Sequence, residues 1–409
     1  YWFADALASF NPGIALGTTG LGLYGFGGGA SYKVARQAFT SIQLPDSTAL
    51  ANPTDMEAVI GRSMSGTIYV PDSTAGLGIK AIIALGTMPK PEVFNGTVTF
   101  EVIFNSSWGV RSIGFIGDGR FLTPPPRPGQ AAGQPALRCI LSMNYDFENR
   151  AFHADLDVYV NHMSIVTGAY ANNLAGRGTI HTDPEDWYIH IGTPQRRIMI
   201  SYSLAGLSNL AKPGGAPNAP QDTSGLVIDW SKAGLLLTAY LDAGTVLPPF
   251  PDIPQRVQSI LGGGDFQIVS RDDPRFASGG GIMFGASVDV SIPDLTFLMF
   301  YASFGAGMGF DVMVKNYGVD ARCAGNENSS SPIGINGWYA TGQLWAYIEG
   351  SIGIKVNMFT VSGKFRILDL ALAAVLQTRL PNPLWARGIV GGRFSILSGL
   401  VSGSCRFQF

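Results

Sequence analysis

Apolar and polar positions alternate with a period of two over most of this chain, and glycine, asparagine and proline interrupt the alternation at short intervals. That pattern predicts strand after strand. Residues 96–105 (GTVTFEVIFN) set Val98, Phe100 and Ile103 among β-branched or aromatic neighbours, and Asn95-Gly96 is a dipeptide favoured in two-residue hairpin turns. A hairpin is therefore expected within 78–104, with Pro89 and Pro91 limiting its first strand. Further strands are expected at 111–122, 136–147, 152–160, 187–191, 197–204 and 235–241.

The longest alternating segments lie later. In 281–292 (GIMFGASVDVSI), Ile282, Phe284, Ala286, Val288, Val290 and Ile292 share one face; Met283, Gly285, Ser287, Asp289 and Ser291 share the other. In 295–314, Leu298, Phe300, Phe304, Met308, Phe310 and Val312 oppose Ser303, Gly305, Gly307, Gly309 and Asp311, although Phe297, Met299 and Tyr301 disturb the start. A glycine stripe on one face lets a backbone, a ring or a ligand approach closely. The single helix predicted covers 252–261, with Asp252 as its cap and Gly262-Gly263-Gly264 as its stop. Proline and glycine density marks 123–135, 212–225, 246–254 and 323–336 as connections.

The fold class that follows is all-β: many-stranded, mostly antiparallel and glycine-rich, a large sheet or a barrel-like architecture with one short helix. Residues 1–210 form a first β-rich half, 211–281 a Pro/Gly-rich connection, and 282–409 a second half with long strands. Brief echoes, such as GFGGGASYKV at 25–34 against GGGIMFGASVDV at 279–290, do not establish a repeat period.

Composition sharpens the picture. Apolar residues make up 46% of the chain and charged ones 14%, where roughly 25% is usual, and there are 53 glycines. So few charges leave apolar faces to be covered by lipid, by closure of a barrel, or by neighbouring copies. A formal net charge of −2, without basic or acidic runs, gives no footprint for nucleic acid. No apolar run reaches the roughly 18 residues of a spanning helix. The opening Tyr1-Trp2-Phe3 has no initiating methionine and no basic n-region, which suggests a mature or excised portion of a longer exported protein. Of Cys139, Cys323 and Cys405, the last two are the expected disulfide partners in an exported chain.

Candidate chemistry is sparse. All four histidines fall within 153–190, amid Asp155, Asp157, Asp183, Glu185 and Asp186, so His153, His181 and His190 are the residues a metal would use. His153 and His162 are nine apart, as are His181 and His190. An odd step within one regular strand points each pair to opposite faces, so no metal site is expected. Gly20-Leu21-Gly22-Leu23-Tyr24-Gly25 has the letters of a dinucleotide fingerprint but lacks a following helix, so no cofactor is expected either. Asp155 and Asp157 read as exposed strand charges, and with Glu185 they are the carboxylates a glycan-acting enzyme would use. Trp338, Tyr339, Trp345 and Tyr347 suit packing, carbohydrate stacking or a membrane interface; Trp345 and Tyr347 share the parity of Tyr339, and Trp338 does not.

Several segments resemble the C-terminal region of very large exported Bacteroidota proteins of the TANFOR-containing type: YGFGGGASY (24–32), PDSTAGLGIKA (71–81), DWYIHIGTP (186–194), SILGGG (259–264), LTFLMFYASFGAGMGFD (295–311), IGINGWYATGQ (333–343) and LPNPLWARGIVGG (380–392). The resemblance implies a secreted or surface-displayed, β-rich chain and assigns no catalytic residue; Cys139 lies outside it. A non-enzymatic structural or adhesive β module on the cell surface is the expected function, self-assembling into a fibre or layer. Its partners would be its own copies, other parts of a longer parent chain, or a glycan surface. An outer-membrane β-barrel is the alternative, supported by the alternating apolar faces and by the terminal VSGSCRFQF.

Overall fold

The computed structural model describes residues 1–36, 69–125, 134–203, 226–228, 233–263, 266, 279–297, 299–322, 332–358 and 361–409. The period-two segments are strands throughout, and their partners are antiparallel. Two compact units form, Tyr1–His162 with Tyr170–Trp187, and Met163–Ala169 with Tyr188–Phe409.

The first unit contains β1 (Trp2–Ala15), β2 (Leu21–Tyr32), β3 (Val34–Arg36), β4 (Tyr69–Pro71), β5 (Ala75–Thr87), β6 (Phe94–Asn105), β7 (Val110–Phe121), β8 (Leu137–Asp146) and β9 (Ala151–His162). After β10 (Val166–Gly168), which belongs to the second unit, β11 (Leu174–Thr182) completes it. β3 and β4 pair with each other, and the remaining strands form an antiparallel ladder in which each follows its predecessor. The expected hairpin within 78–104 is β5–β6. Its turn, however, is the proline-bearing stretch before Phe94; Asn95 and Gly96 lie inside β6, where the buried Asn95 donates to Thr123 O at 2.7 Å. The dipeptide's turn preference yields to a buried amide that ties two connections together.

The second unit continues with β12 (Trp187–Ile191), β13 (Ile198–Ser203), β14 (Leu226–Ile228), β15 (Gly234–Gly244), β16 (Gly281–Phe297), β17 (Phe300–Asn316), β18 (Trp338–Met358), β19 (Val361–Leu380), β20 (Trp385–Ile396) and β21 (Val401–Gln408). From β15 to β21 these form an unbroken antiparallel meander. The disturbed parity near Met299 is the hairpin end of β16 and β17, where Phe297 pairs with Phe300.

Register sorts side chains into two kinds of row. Ala239, Ala286, Phe310, Leu344 and Leu376 are successive partners across β15 to β19. One residue along, Tyr240, Gly285, Asp311, Gln343, Gln377 and Arg387 form the neighbouring row. Phe310, Leu344 and Leu376 are 39%, 52% and 41% exposed, whereas Asp311, Gln343 and Gln377 are 0%, 4% and 0% exposed. Large apolar side chains therefore stand on the open face and polar ones on the covered face, the reverse of an ordinary soluble sheet.

Part of the covering comes from the connection between β15 and β16, which carries helix α1 (Gln255–Ile260). The helix is shorter than the sequence suggests. Pro254 occupies its N-cap position with no side-chain cap, and Asp252 lies outside it, exposed. Pro254's fixed φ sets the entry without help from a carboxylate. Val257, Ile260 and Leu261 pack with Ile253 and Phe266 on Trp345, Tyr347, Ala371, Ala373, Val375 and Ile389. The two alanines of β19 leave the depth that a helix needs.

Candidate functional site

The polar face of the second unit is built from side chains that alternate with the exposed apolar ones. Asp311 Oδ1 accepts from Arg197 Nη2 at 2.6 Å and from Tyr240 Oη at 3.1 Å, and its Oδ2 accepts from Gln343 Nε2 at 2.9 Å. The Arg197 guanidinium also lies 4.8 Å above the Tyr240 ring. A fully buried carboxylate is retained here because a cation and two neutral donors meet its lone pairs.

The β15–β16 connection is tethered onto this face by hydrogen bonds rather than by apolar contact alone. Gln343 Nε2 donates to Pro251 O at 2.9 Å, Gln377 Nε2 to Phe266 O at 2.7 Å, and Arg406 Nη1 to Gly263 O at 2.6 Å. Arg256 on α1 pairs with Glu349 and stacks 5.1 Å over the Tyr347 ring. Between the connection and the strands lies a cavity of about 470 Å³ whose walls include Arg197, Phe250, Asp252, Asp289, Trp345 and Tyr347. Trp345 and Tyr347 stack at 6.3 Å, and the Tyr347 hydroxyl donates to Asp289 at 2.8 Å. The glycine stripe makes room for these rings: a Cβ on Gly307 would stand 2.5 Å from Tyr347 Cε1, and one on Gly309 2.6 Å from Trp345 Cζ2. Aromatic walls flanked by both charge signs suit a polar organic solute or a folded-in polypeptide segment.

The polar face of the first unit is likewise paired. Lys80 and Asp5, both nearly buried, meet at 2.8 Å, and Asp118 receives Arg120 and Arg138, each at 2.9 Å. Asp155 and Asp157 are not free exposed charges. Asp157 takes two bonds of 2.6 Å from Arg177, and Asp155 accepts from Thr179 Oγ1 at 2.8 Å and meets His153 Nε2 at 3.0 Å. Paired in this way, they lie on the polar face with Thr179, His153 and His181.

The histidines associate differently from their spacing in sequence. His153 on β9 faces His181 on β11, with Nδ1 atoms 3.3 Å apart, and Asp183 Oδ2 meets His181 Nε2 at 3.1 Å. His190 belongs to β12, stacks on Tyr188 at 4.5 Å and stands 3.4 Å from the buried Asp242. His162 ends β9 in an exposed position. Among the described residues, no three His, Cys, Asp or Glu side chains are grouped to enclose a metal ion. Backbone N–H groups of Asp186 and Glu185 hold the Asp183 carboxyl below its ordinary range, and Glu185 otherwise sits in that exposed turn. Cys323 lies outside the described residues and with it the expected Cys323–Cys405 pair; among the described residues Cys139 on β8 and Cys405 on β21 form no disulfide. Trp345, Tyr347 and Tyr339 are buried on the polar face, and Trp338 is exposed.

Arg197, Arg256, Gln343 and Gln377 were not anticipated from sequence. Gln377 carried a readable signal, since it continues the parity of Ala371, Ala373 and Val375 as a polar residue directly after three apolar ones. No protein-family model, curated protein or solved structure matches the chain.

Proposed function

We propose that the chain forms the wall of a membrane-spanning β-barrel of the outer-membrane type, with its apolar face in lipid and its polar face carrying the tethered connection of α1. The observation that carries this reading is β19. Leu368, Leu370, Leu372, Leu376 and Leu380 are all exposed, while Ala371, Ala373, Val375 and Gln377 between them are buried. Such inversion costs heavily in water and is the expected arrangement in hydrocarbon.

Dimensions support it. Leu368 to Leu380, at about 3.3 Å per residue and a tilt of roughly 40°, covers about 30 Å across a bilayer, close to the hydrocarbon thickness. Aromatic pairs flank the band in the first unit. Trp2 and Tyr32 stack at 6.5 Å and Tyr145 meets Phe147 at 4.8 Å at one end of the ladder; Phe94 meets Phe121 at 5.0 Å at the other. Rings at both margins match the girdles of spanning strands. No helix among the described residues is long and apolar enough to cross a membrane. The surface-display class implied by the resemblance suits the same location.

A surface fibre or layer would cover the same apolar face with other copies. Expression in a diderm host followed by mild-detergent extraction of the envelope separates the two. Release as a monodisperse micelle, with gel mobility that changes on boiling, is expected. Retention in a sedimenting fibre, or a stable monomer without detergent, refutes the membrane reading.

A further inference from the structure

His153 and His181 occupy opposed register positions on β9 and β11 at the polar face. Their Nε2 atoms face Asp155 Oδ2 at 3.0 Å and Asp183 Oδ2 at 3.1 Å. An ionised carboxylate only accepts, so both Nε2 atoms carry hydrogen. With a single N–H on each ring, the two Nδ1 lone pairs would be directed at each other across 3.3 Å. That contact repels unless a positive species lies between the rings.

The spacing fits a metal ion. Two nitrogens held at about 2.0–2.1 Å from a tetrahedral centre stand about 3.3 Å apart. Carboxylates on the far ring nitrogens are the usual partners of metal-binding histidines, fixing tautomer and ring orientation. Both carboxylates are themselves anchored, Asp155 by Thr179 Oγ1 at 2.8 Å and Asp183 by the N–H groups of Glu185 and Asp186 at 2.8 and 2.7 Å. His153 remains 40% exposed at its side chain, so the site is open to water.

We propose that His153 and His181 bind one borderline-soft divalent transition ion, Zn²⁺ or Cu²⁺, through their Nδ1 atoms, with Asp155 and Asp183 as positioning residues and water completing the coordination. Nitrogen donors select these ions over Mg²⁺ or Ca²⁺, which take oxygen ligands. The site is independent of what covers the apolar face.

Isothermal titration of the untagged, chelator-treated full chain with ZnCl₂ tests it. One saturable equivalent is expected; His153→Gln and His181→Gln abolish it, Asp155→Asn and Asp183→Asn weaken it about 10–100-fold, and His190→Gln leaves it unchanged. Cu²⁺ electron paramagnetic resonance of the wild-type chain gives a readout free of any variant, with nitrogen splitting from two imidazoles expected. Absence of saturable Zn²⁺ binding, which would leave a shared proton between the rings, overturns the proposal. So does equal binding of Mg²⁺, unchanged affinity in either histidine variant, or an all-oxygen Cu²⁺ spectrum.

Discussion

Leu372 is 46% exposed, and Ala371, the residue before it on β19, is 4% exposed. The larger apolar side chain points away from the protein and the smaller one toward it: Ala371 lies beneath α1, and among the described residues no element covers Leu372. Its partner across the ladder, Ile348, is exposed in the same way. The proposed membrane location gives these two side chains lipid as their neighbour.

Leu372→Arg should therefore destabilise the vesicle-reconstituted protein by about 2–4 kcal/mol, the cost of a cation near the bilayer middle. Urea titration in phospholipid vesicles measures it. An unchanged midpoint would mean that lipid does not touch this face.

Gly309 reports on the opposite face. A side chain there meets Trp345 Cζ2, Ser287 Cβ and the Ala286 carbonyl oxygen, all within 3 Å. Gly309→Val should displace the indole, cost about 1–3 kcal/mol as overpacking does, and alter the near-ultraviolet circular dichroism from Trp345. A variant with native stability and spectrum would show that the ring does not rest on the glycine.

Much of this fold was legible because a period of two leaves its mark whichever side is wet. The parity of Ile282 to Ile292, of Phe304 to Val312, and of Trp345 with Tyr347 against Trp338 all reappear in the ladders. Alternation identifies two faces but does not say which one is covered. That information lies in the β15–β16 connection, whose contacts with Gln343, Gln377 and Glu349 are long-range and leave no local pattern. The histidine pair was hidden for a related reason: His153 and His181 are 28 residues apart, and only the β9–β11 register makes them neighbours.

Asp72, between β4 and β5, provides a test by pH. Hydrogen bonds from Thr74, with smaller help from Arg111, outweigh the effect of burial and hold its carboxyl at about 2, below the ordinary 3.8. A depressed folded-state value means that the stabilisation is full above the unfolded value and disappears as pH falls from 3.8 toward about 2. Urea midpoints of the wild type should fall more steeply through that window than those of Asp72→Asn, and the two should converge near its lower end. Parallel curves would show that the clasp is energetically silent.

Asp311 and Arg197 are paired at 2.6 Å on the polar face. Asp311 is fully covered and receives Arg197, Tyr240 and Gln343; the Arg197 side chain is itself 17% exposed. Removing only the carboxylate leaves a guanidinium largely out of water without its counter-charge, so Asp311→Ala should cost about 3–5 kcal/mol. Removing both charges eliminates the desolvation penalty together with the attraction. Asp311→Ala combined with Arg197→Leu should therefore be less destabilising than the sum of the single changes, by about 0.5–3 kcal/mol. Urea midpoints of the four proteins close the cycle. Additive losses would mean that Arg197 stabilises the face through its stacking on Tyr240 and not through Asp311.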